Sequence, residues 1–241
     1  MNRGNVVGQV DEHYNNPRLA ALFDADCPWG EDKDFYLSLP KSKPISILDI
    51  GCGTGQLSEA YAAVGHDVMA IDPAPSMLVV ARGKPHGRDI EWQLATAQTF
   101  KATRKFDLII MTGHVFQTLL RDEDIAQAFQ RIAKHLKPDG QFVFETRNPE
   151  IDWFAKWSAN AQIGREFVGI SNKRERKIWE MNYVLPEGTL VSRSELRFSS
   201  QNAILQQLGG AGLRVQHLFG DWNSSPFDQN TSEEIIFETS L

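Results

Sequence analysis

A glycine-rich turn near residue 50 carries the residue types and spacing of a ligand site. An apolar run, Ile47-Leu48-Asp49-Ile50, leads into Gly51-Cys52-Gly53-Thr54-Gly55, and a helical pattern starts at once. The first glycine of the turn can adopt a backbone conformation closed to other residues, and the next two carry no side chain that would hold off a ligand. A strand, a glycine loop and a helix in this order predict a cofactor site at the carboxyl edge of a parallel sheet.

The residue after this turn narrows the choice of ligand. Gln56 occupies the position at which the dinucleotide-binding fingerprint has its third glycine. A third glycine lets the helix N-terminus approach a pyrophosphate, so Gln56 favours a ligand without phosphates over NAD. A glycine turn that binds no ligand is the alternative interpretation.

A second predicted strand, residues 66–72, ends in a carboxylate. Asp72 lies about twenty residues beyond the first glycine, where an acidic side chain in this architecture bonds ribose hydroxyls. Its alternative role is to cap the helix that follows. Because Pro75 disfavours a helical conformation at Ala74, we expect Ser76 to be the cap and Asp72 to be left free for a ribose.

The glycine turn resembles a known family motif. Leu48-Asp49-Ile50-Gly51-Cys52-Gly53-Thr54-Gly55 is similar to the first motif of the class I S-adenosylmethionine (SAM)-dependent methyltransferases, and Leu136-Lys137-Pro138-Asp139-Gly140 also resembles a turn of that family. The resemblance covers about residues 45–148 and the C-terminal strands. It implies SAM as the cofactor, with the glycine loop against its methionine part. The cofactor-binding positions that it implies are Tyr14, Asp49, Gly51, Cys52, Gly53, Gly55, Gln56, Asp72, Pro73, Met77, Thr96, Ala97, Thr112 and Gly113.

Two of these positions carry specific expectations. The resemblance implies that an N-terminal segment with Tyr14 folds over the cofactor, and a helix packed on the outside of the sheet is the alternative. The family usually has an aspartate after the third strand to accept from the adenine amino group, and Thr96 stands at that position here. A hydroxyl can also accept a hydrogen bond, but it carries no charge.

Candidate catalytic and substrate residues follow the fourth and fifth predicted strands. Methyl transfer from a sulfonium is an in-line displacement that relies on positioning, and it needs a base only when the nucleophile arrives protonated. His114 follows the strand at 106–111 and is the candidate base, with a hydrogen-bonded structural role as the alternative. Glu145 and Arg147 leave the fifth strand at the same edge, as substrate contacts or as a solvated loop.

The pattern changes at residues 151–200, where alternating segments joined by turns predict antiparallel strands. We interpret this stretch as a β-rich insertion that covers the active site, with Trp153 and Arg193 as candidate substrate contacts. Trp153 and Trp157 lie one helical turn apart and serve either packing or ligand binding. The alternative for the whole stretch is a dimerisation arm, which would make the protein a homodimer.

Together these elements predict an α/β fold. Strands alternate with helices up to residue 150, and the resemblance implies a Rossmann-like doubly wound, mostly parallel seven-stranded sheet with an antiparallel edge strand. Residues 1–150 and 201–241 would form the SAM-binding core with an N-terminal cap, and residues 151–200 the small β insertion. The length of 241 residues suits one such domain.

Composition restricts the function and the location. The chain is 41% apolar and 23% charged and has no continuous apolar stretch long enough to span a bilayer. Residues 1–5 lack the apolar core of a secretion signal, and two cysteines are too few for a disulfide framework, so we expect a cytoplasmic protein. No zinc-ligand spacing is present, so we expect no metal site.

The net charge of −6 disfavours a nucleic-acid surface and favours a small-molecule methyl acceptor. We therefore predict a SAM-dependent methyltransferase that moves a methyl group to an N or O atom of a small molecule. The alternatives are an RNA or protein methyltransferase and a non-catalytic SAM-binding regulator.

Overall fold

The computed structural model describes residues 12–41, 44–159, 165–186 and 188–241. The expectation that residues 1–5 carry no secretion signal concerns residues outside these ranges, as does the first part of the predicted N-terminal cap.

A mixed sheet forms the centre of the molecule. Within the described residues it has seven strands in the order β3-β2-β1-β4-β5-β10-β9. Pairing is parallel from β3 to β5 and antiparallel from β5 to β10 and from β10 to β9. This confirms the predicted seven-stranded, mostly parallel sheet with an antiparallel edge. Its strands are β1 (Ser46–Ile50), β2 (Asp67–Asp72), β3 (Glu91–Leu94), β4 (Phe106–Met111), β5 (Leu136–Arg147), β9 (Arg214–Phe219) and β10 (Glu234–Ser240).

Helices precede the sheet and connect its strands. They are α1 (Glu12–Asn15), α2 (Pro17–Asp26), α3 (Glu31–Ser38), α4 (Gln56–Ala63), α5 (Pro75–Arg82), α6 (Asp122–His135), α7 (Trp153–Ala159) and α8 (Gln201–Gly210), with a short 3₁₀ helix at Val115–Thr118. No helix within the described residues has the length and apolar composition needed to cross a membrane.

Both faces of the central strands are covered, because their side chains alternate between two hydrophobic clusters. In β1, Leu48 and Ile50 belong to the cluster that includes residues of α6 and α8, whereas Ile47 belongs to the cluster with Phe35 of α3 and Tyr61 of α4. Strands buried on both faces explain the continuous apolar runs in the sequence. The polar side chains of these strands therefore collect at the strand ends, where the chemistry can occur.

The start of α5 differs from the prediction. The helix begins at Pro75 after an extended Ala74 (φ −95°, ψ 111°), so the expectation that Ser76 is the cap is wrong. Proline suits the first helical position because its missing N–H would have no partner there. The Ser76 hydroxyl instead donates to the carbonyl of Asn15, 2.6 Å away.

Strand β5 also begins earlier than predicted, at Leu136 instead of Gln141. The register pairs Phe106 with Leu136 and Leu108 with Gln141. Only Asp107 lies between these pairs on β4, whereas residues 137–140 lie between them on β5. The predicted turn is thus an outward bulge within a longer strand.

A second sheet follows β5 and α7. Its strands, β6 (Arg165–Asn172), β7 (Arg176–Leu185) and β8 (Gly188–Arg197), are antiparallel and form no ladder with the main sheet in the described residues. This is the small β insertion that the alternating sequence predicted.

Asp107 joins three neighbouring strands at the edge of the sheet opposite the glycine turn. Its Oδ2 accepts hydrogen bonds from the Ser46 N–H (2.8 Å), the Ser46 hydroxyl (2.7 Å) and the Lys137 ammonium (2.8 Å). Burial opposes the charge, but the bonds from Lys137 and Ser46 outweigh it and lower the pKa of Asp107 to about 2.

We expect Asp107→Asn to lower the free energy of unfolding near neutral pH by about 1 kcal/mol, a value discounted because the ion pair is partly exposed. The native pKa lies below the unfolded one, so the stabilisation is complete above the unfolded pKa and disappears as the pH falls towards about 2. Urea unfolding over this pH range should show the two proteins converging. Asp139→Asn, at an exposed carboxylate on the same bulge, is the matched control. A constant difference at every pH would contradict this account.

Candidate active site

The glycine turn closes the carboxyl end of β1 in the way its sequence requires. Gly51, Gly53 and Gly55 have φ angles of +73°, +54° and +73°, in the left-handed region that favours glycine. A Cβ on Gly51 would lie 2.5 Å from Val115 Cγ2, and one on Gly55 would lie 2.6 Å from the Trp92 ring. Among the described residues, a Cβ on Gly53 would meet only Phe23 Cε1, at 3.7 Å. Side chains therefore fill the space beside the outer two glycines, whereas no other described residue fills the space beside Gly53.

Asp49 lies beneath this turn with one oxygen unused. Its side chain is 1% exposed, Ser58 donates to Oδ2 at 2.5 Å, and Oδ1 has no partner among the described residues. Burial raises the pKa of Asp49 to about 7, the Ser58 bond opposes the rise, and the charge of Asp72 adds to it. An unpartnered buried carboxylate oxygen fits a cationic group, and the amino group of SAM is one.

Asp72 braces the turn from the end of β2. Its Oδ2 accepts from the Gly53 N–H (2.9 Å) and its Oδ1 from the Ala74 N–H (2.8 Å). Burial raises the pKa of Asp72 to about 6, although both backbone bonds oppose the rise. Each carboxylate oxygen has a further lone pair that a ribose hydroxyl can use. Asp49, Asp72 and the space at Gly53 together fit the functional groups of SAM.

The loop after β3 offers both polar and apolar surface next to Asp72. The Thr96 hydroxyl lies 2.9 Å from that of Thr99, which also accepts from the Thr96 N–H at 3.1 Å. Leu94 is the register partner of Asp72 and is 56% exposed, which is unusual for a large apolar residue at a strand end. Leu94 was not among the predicted site residues, although its position at the end of β3 would have been enough to include it as a candidate. Ala97 is buried in the core.

The N-terminal helices lie against the turn and α5. Tyr14 and Phe23 pack against a cluster that contains the buried Met77, with 6.3 Å between the two ring centroids. Asp24 of α2 accepts hydrogen bonds from Thr54, Gln56 and Lys84. Burial of Asp24 opposes its charge, but these bonds lower its pKa below the usual value.

The Gln56 side chain forms hydrogen bonds to α2 and the residue after it. Its amide donates to Asp24 Oδ1 at 2.8 Å and to the carbonyl of Cys27 at 3.0 Å. The side chain that stands in place of a third glycine therefore holds α2 on the glycine turn.

His114 follows β4 in a strained conformation. Its φ is +61° and ψ is 26°, which costs a residue with a side chain about 1–2 kcal/mol. Its Nε2 lies 2.9 Å and 3.0 Å from the two oxygens of Glu234, at the start of β10. A carboxylate only accepts, so Nε2 carries the hydrogen and Nδ1 is left as the basic nitrogen. Nδ1 forms no hydrogen bond to a described residue. The next residue, Val115, fills the space that a Cβ on Gly51 would occupy, so His114 lies beside the glycine turn.

Glu145 supports this conformation from within the core. It is 1% exposed, and its oxygens accept from the His114 N–H (2.7 Å) and the Tyr36 hydroxyl. Burial raises the pKa of Glu145, while His114, in its protonated form, and the Tyr36 bond lower it. The carboxylate predicted to contact substrate is therefore buried and supports the histidine.

Arg147 lies at the end of β5, beside two tryptophans of α7. Its guanidinium carbon lies 5.4 Å from the ring centroids of both Trp153 and Trp157, and Nη1 donates to Gln117 Oε1 at 2.9 Å. The predicted positions Trp153 and Arg147 are thus brought together.

Arg193 lies apart from these groups. Its side chain is 60% exposed and 3.9 Å from Glu180, on the outer face of β8. Ser192 and Ser194, which alternate with it, are buried. The register of β8 turns Arg193, a predicted substrate contact, to solvent, so the structure does not bring it together with Arg147 and Trp153.

Sequence reasoning missed Glu234, Tyr36 and Gln117. For Glu234 a signal was available, because a strand antiparallel to its neighbours begins at the edge where parallel strands end. Tyr36 lies within a short apolar stretch before β1, where its hydroxyl gives no sign of a role. Nothing in the sequence pattern distinguishes Gln117.

Comparisons with known proteins find methyltransferases. The family model described as a methyltransferase domain matches residues 47–140. Cypemycin N-terminal methyltransferase from Streptomyces sp is 31% identical over 199 residues, which cover 79% of this chain and 81% of that protein. A ubiquinone biosynthesis O-methyltransferase from Rhodopseudomonas palustris (strain BisA53) is 29% identical over 218 residues, covering 88% of this chain and 78% of that protein.

A solved structure shares the fold. The S-adenosylmethionine-dependent methyltransferase from Clostridium acetobutylicum ATCC 824 matches with a TM-score of 0.72, covering 93% of this chain and 98% of that one at 17% identity.

We expect Gly53→Ala to weaken binding of S-adenosylhomocysteine, the demethylated cofactor, by about tenfold or more, because the new methyl group enters the open space of the turn. Gly65→Ala is the matched control. Gly65 also has a left-handed φ, +92°, and no atom of a described residue lies within 4 Å of its Cβ position. It follows α4, at the end of that helix away from the turn.

Both substitutions should cost about 1 kcal/mol of folding stability through backbone strain. Calorimetric titration and urea unfolding of the two variants separate the effects. Equal cofactor affinity in both would remove Gly53 from the binding site.

Proposed function

The chain belongs to the class I SAM-dependent methyltransferases, and from this premise we propose that His114, oriented by Glu234, activates the methyl acceptor. SAM is the methyl donor, and the acceptor is a small molecule. The observation that carries the proposal is the His114–Glu234 pair. His114 directly precedes Val115, whose side chain fills the space beside Gly51 of the glycine turn.

The acceptor atom is proposed to be a nitrogen or an oxygen that still carries a proton. The name of the Streptomyces relative denotes methylation at an N-terminus, and that of the Rhodopseudomonas relative denotes an O-methyltransferase. The net charge of −6 supports a small acceptor over RNA. We also propose a cytoplasmic location, because a chain with only two cysteines suits a reducing compartment.

The chemistry assigned to the chain is proton removal and positioning. When bound, SAM would supply a methyl group on a sulfonium, whose sulfur would keep the electron pair of the broken C–S bond. Nδ1 of His114 would take the proton that the acceptor atom loses when that atom's lone pair is methylated. The carboxylate of Glu234 holds the ring orientation and stabilises the imidazolium that forms. Glu145 and Tyr36 position His114 through its backbone.

The β insertion is proposed to cover the acceptor. Strand β8 contacts the N-terminal cap, where His13 Nδ1 lies 2.8 Å from the Ser192 hydroxyl. It also contacts the segment after β4, where the Gln117 amide donates to the carbonyl of Arg197 at 3.1 Å. An insertion that joins both borders of the cleft is suited to exclude water and to hold the acceptor in line.

We expect His114→Asn to lower kcat/KM by about 10²–10⁴-fold. Asparagine tolerates the left-handed conformation, so the fold and the S-adenosylhomocysteine affinity should be retained. Glu234→Gln should retain part of the activity, because an amide still orients the ring but does not stabilise its charge.

The chain contains a matched control for this experiment. His217 forms a similar pair with Glu238, at 2.9 Å, on the exposed surface of β9 and β10. His217→Asn should leave turnover unchanged, measured with an acceptor found by a SAM-turnover screen. If His114→Asn melts earlier yet keeps its turnover, the histidine has only a structural role.

We expect replacement of residues 151–200 by a short Gly-Ser link to leave S-adenosylhomocysteine affinity within a few fold, because the glycine turn, Asp49 and Asp72 lie outside the insertion. Methyl transfer should be abolished, because the acceptor loses its cover. Calorimetry tests the first expectation and turnover the second, and retained cofactor binding verifies folding. Turnover that survives in a protein converted from dimer to monomer would identify the segment as a dimerisation arm.

A further inference from the structure

Arg147 forms no ion pair with any carboxylate in the part of the chain that the structure describes. Among the described residues, its guanidinium has one hydrogen bond, to Gln117, and no carboxylate within ion-pair distance. Its direct cross-strand partner is Glu234 of β10. An ion pair between these two would be the expected outcome, but the Glu234 carboxylate is bound to His114.

The surroundings fix Arg147 in place. Gln117 is completely buried and is itself held by its bond to the carbonyl of Arg197. Trp153 and Trp157 stabilise the guanidinium through their ring faces. A guanidinium has five N–H donors, and only one is used by a described residue, so the group is held in position with most of its donors available.

A cation held in this way destabilises the folded protein when no ligand is bound. Burial lowers the pKa of Arg147, while the charges of Glu234, Tyr14, Glu145 and Cys27 act in the opposite direction. A partly buried cation without a hydrogen-bonded counterion is destabilising, and the planar donor fork of arginine matches an oxyanion. Binding of an anionic group would offset this destabilisation.

We propose that Arg147 recognises an oxyanion, a carboxylate or a phosphate, carried by the methyl acceptor close to the methylated atom. The inference rests on the proposed function, since it places the acceptor at the His114–Glu234 pair. Arg147 follows β5, and β4 separates β5 from β1 and the glycine turn. Neighbouring strands are about 4.8 Å apart, so Arg147 lies on the His114 side of the cleft, away from the turn.

The competing source of an oxyanion is the cofactor itself, whose methionine part also carries a carboxylate. The two sources predict different results when Arg147 is changed. An arginine that holds the cofactor is needed for S-adenosylhomocysteine binding, whereas one that holds the acceptor is not.

The test observes the Arg147 Nε–H directly in ¹⁵N-resolved spectra of the whole protein saturated with S-adenosylhomocysteine. Its signal is assigned by its absence from Arg147→Lys. Benzoate and inorganic phosphate are titrated separately, with sodium chloride at matched ionic strength as the reference. The exposed Arg193 signal is the internal control.

We expect a saturable shift of the Arg147 signal, with a dissociation constant of about 1 mM, that chloride does not reproduce and Arg193 does not show. A response to benzoate identifies a carboxylate, and a response to phosphate identifies a phosphate ester. In Arg147→Gln, S-adenosylhomocysteine affinity should stay within about threefold of the parent protein.

Absence of a specific shift with either anion would overturn the proposal. So would a loss of S-adenosylhomocysteine affinity of about tenfold or more in Arg147→Gln, which would assign the arginine to the cofactor. These experiments measure binding, so their outcome is independent of the turnover tests of His114.

Discussion

The buried carboxylate of Glu145 is the interaction on which the rest of the active site depends. It lies on β5 and accepts hydrogen bonds from Tyr36 of α3 and from the backbone of His114 after β4. A carboxylate in the core is tolerated only when its oxygens are satisfied. The same two bonds therefore stabilise Glu145 and hold His114 in a left-handed conformation that it would otherwise leave. Backbone strain at a proposed catalytic residue is thus maintained by a polar group that never needs to contact substrate.

The junction of β5 and β10 distributes charge in an uneven way. Arg147 and Glu234 face each other across the ladder but do not pair. Glu234 is hydrogen-bonded to His114, and the Arg147 guanidinium packs on two tryptophan rings. If they paired with each other, the histidine would lose its orienting carboxylate and the arginine its free donors. Their separation leaves a histidine–carboxylate pair and an arginine next to each other, the arrangement that the proposed methyl transfer to an anionic acceptor needs.

The sequence predicted the features that depend on local patterns and on the family motif. It did not predict the positions of side chains that depend on which strands are neighbours in the sheet. Gly53 and Asp72 could be placed because a strand, a turn and a helix follow each other within a short stretch. Glu234 could not be paired with His114, because 120 positions separate them and only the insertion of β10 beside β5 brings them together. Arg193 was misplaced because a one-residue difference in register reverses the direction of every side chain on a strand.

Strand β10 follows β9 in the sequence but lies between β5 and β9 in the sheet. The ladder beside β5 therefore cannot close until the later strand has entered, and β9 has no place before then. In any partly folded state without β10, β5 presents unpaired backbone groups along Phe142 and Phe144, which are fully buried in the native core. Exposed apolar strand edges promote aggregation. The strand that completes the histidine–glutamate pair thus also protects the protein from self-association during folding.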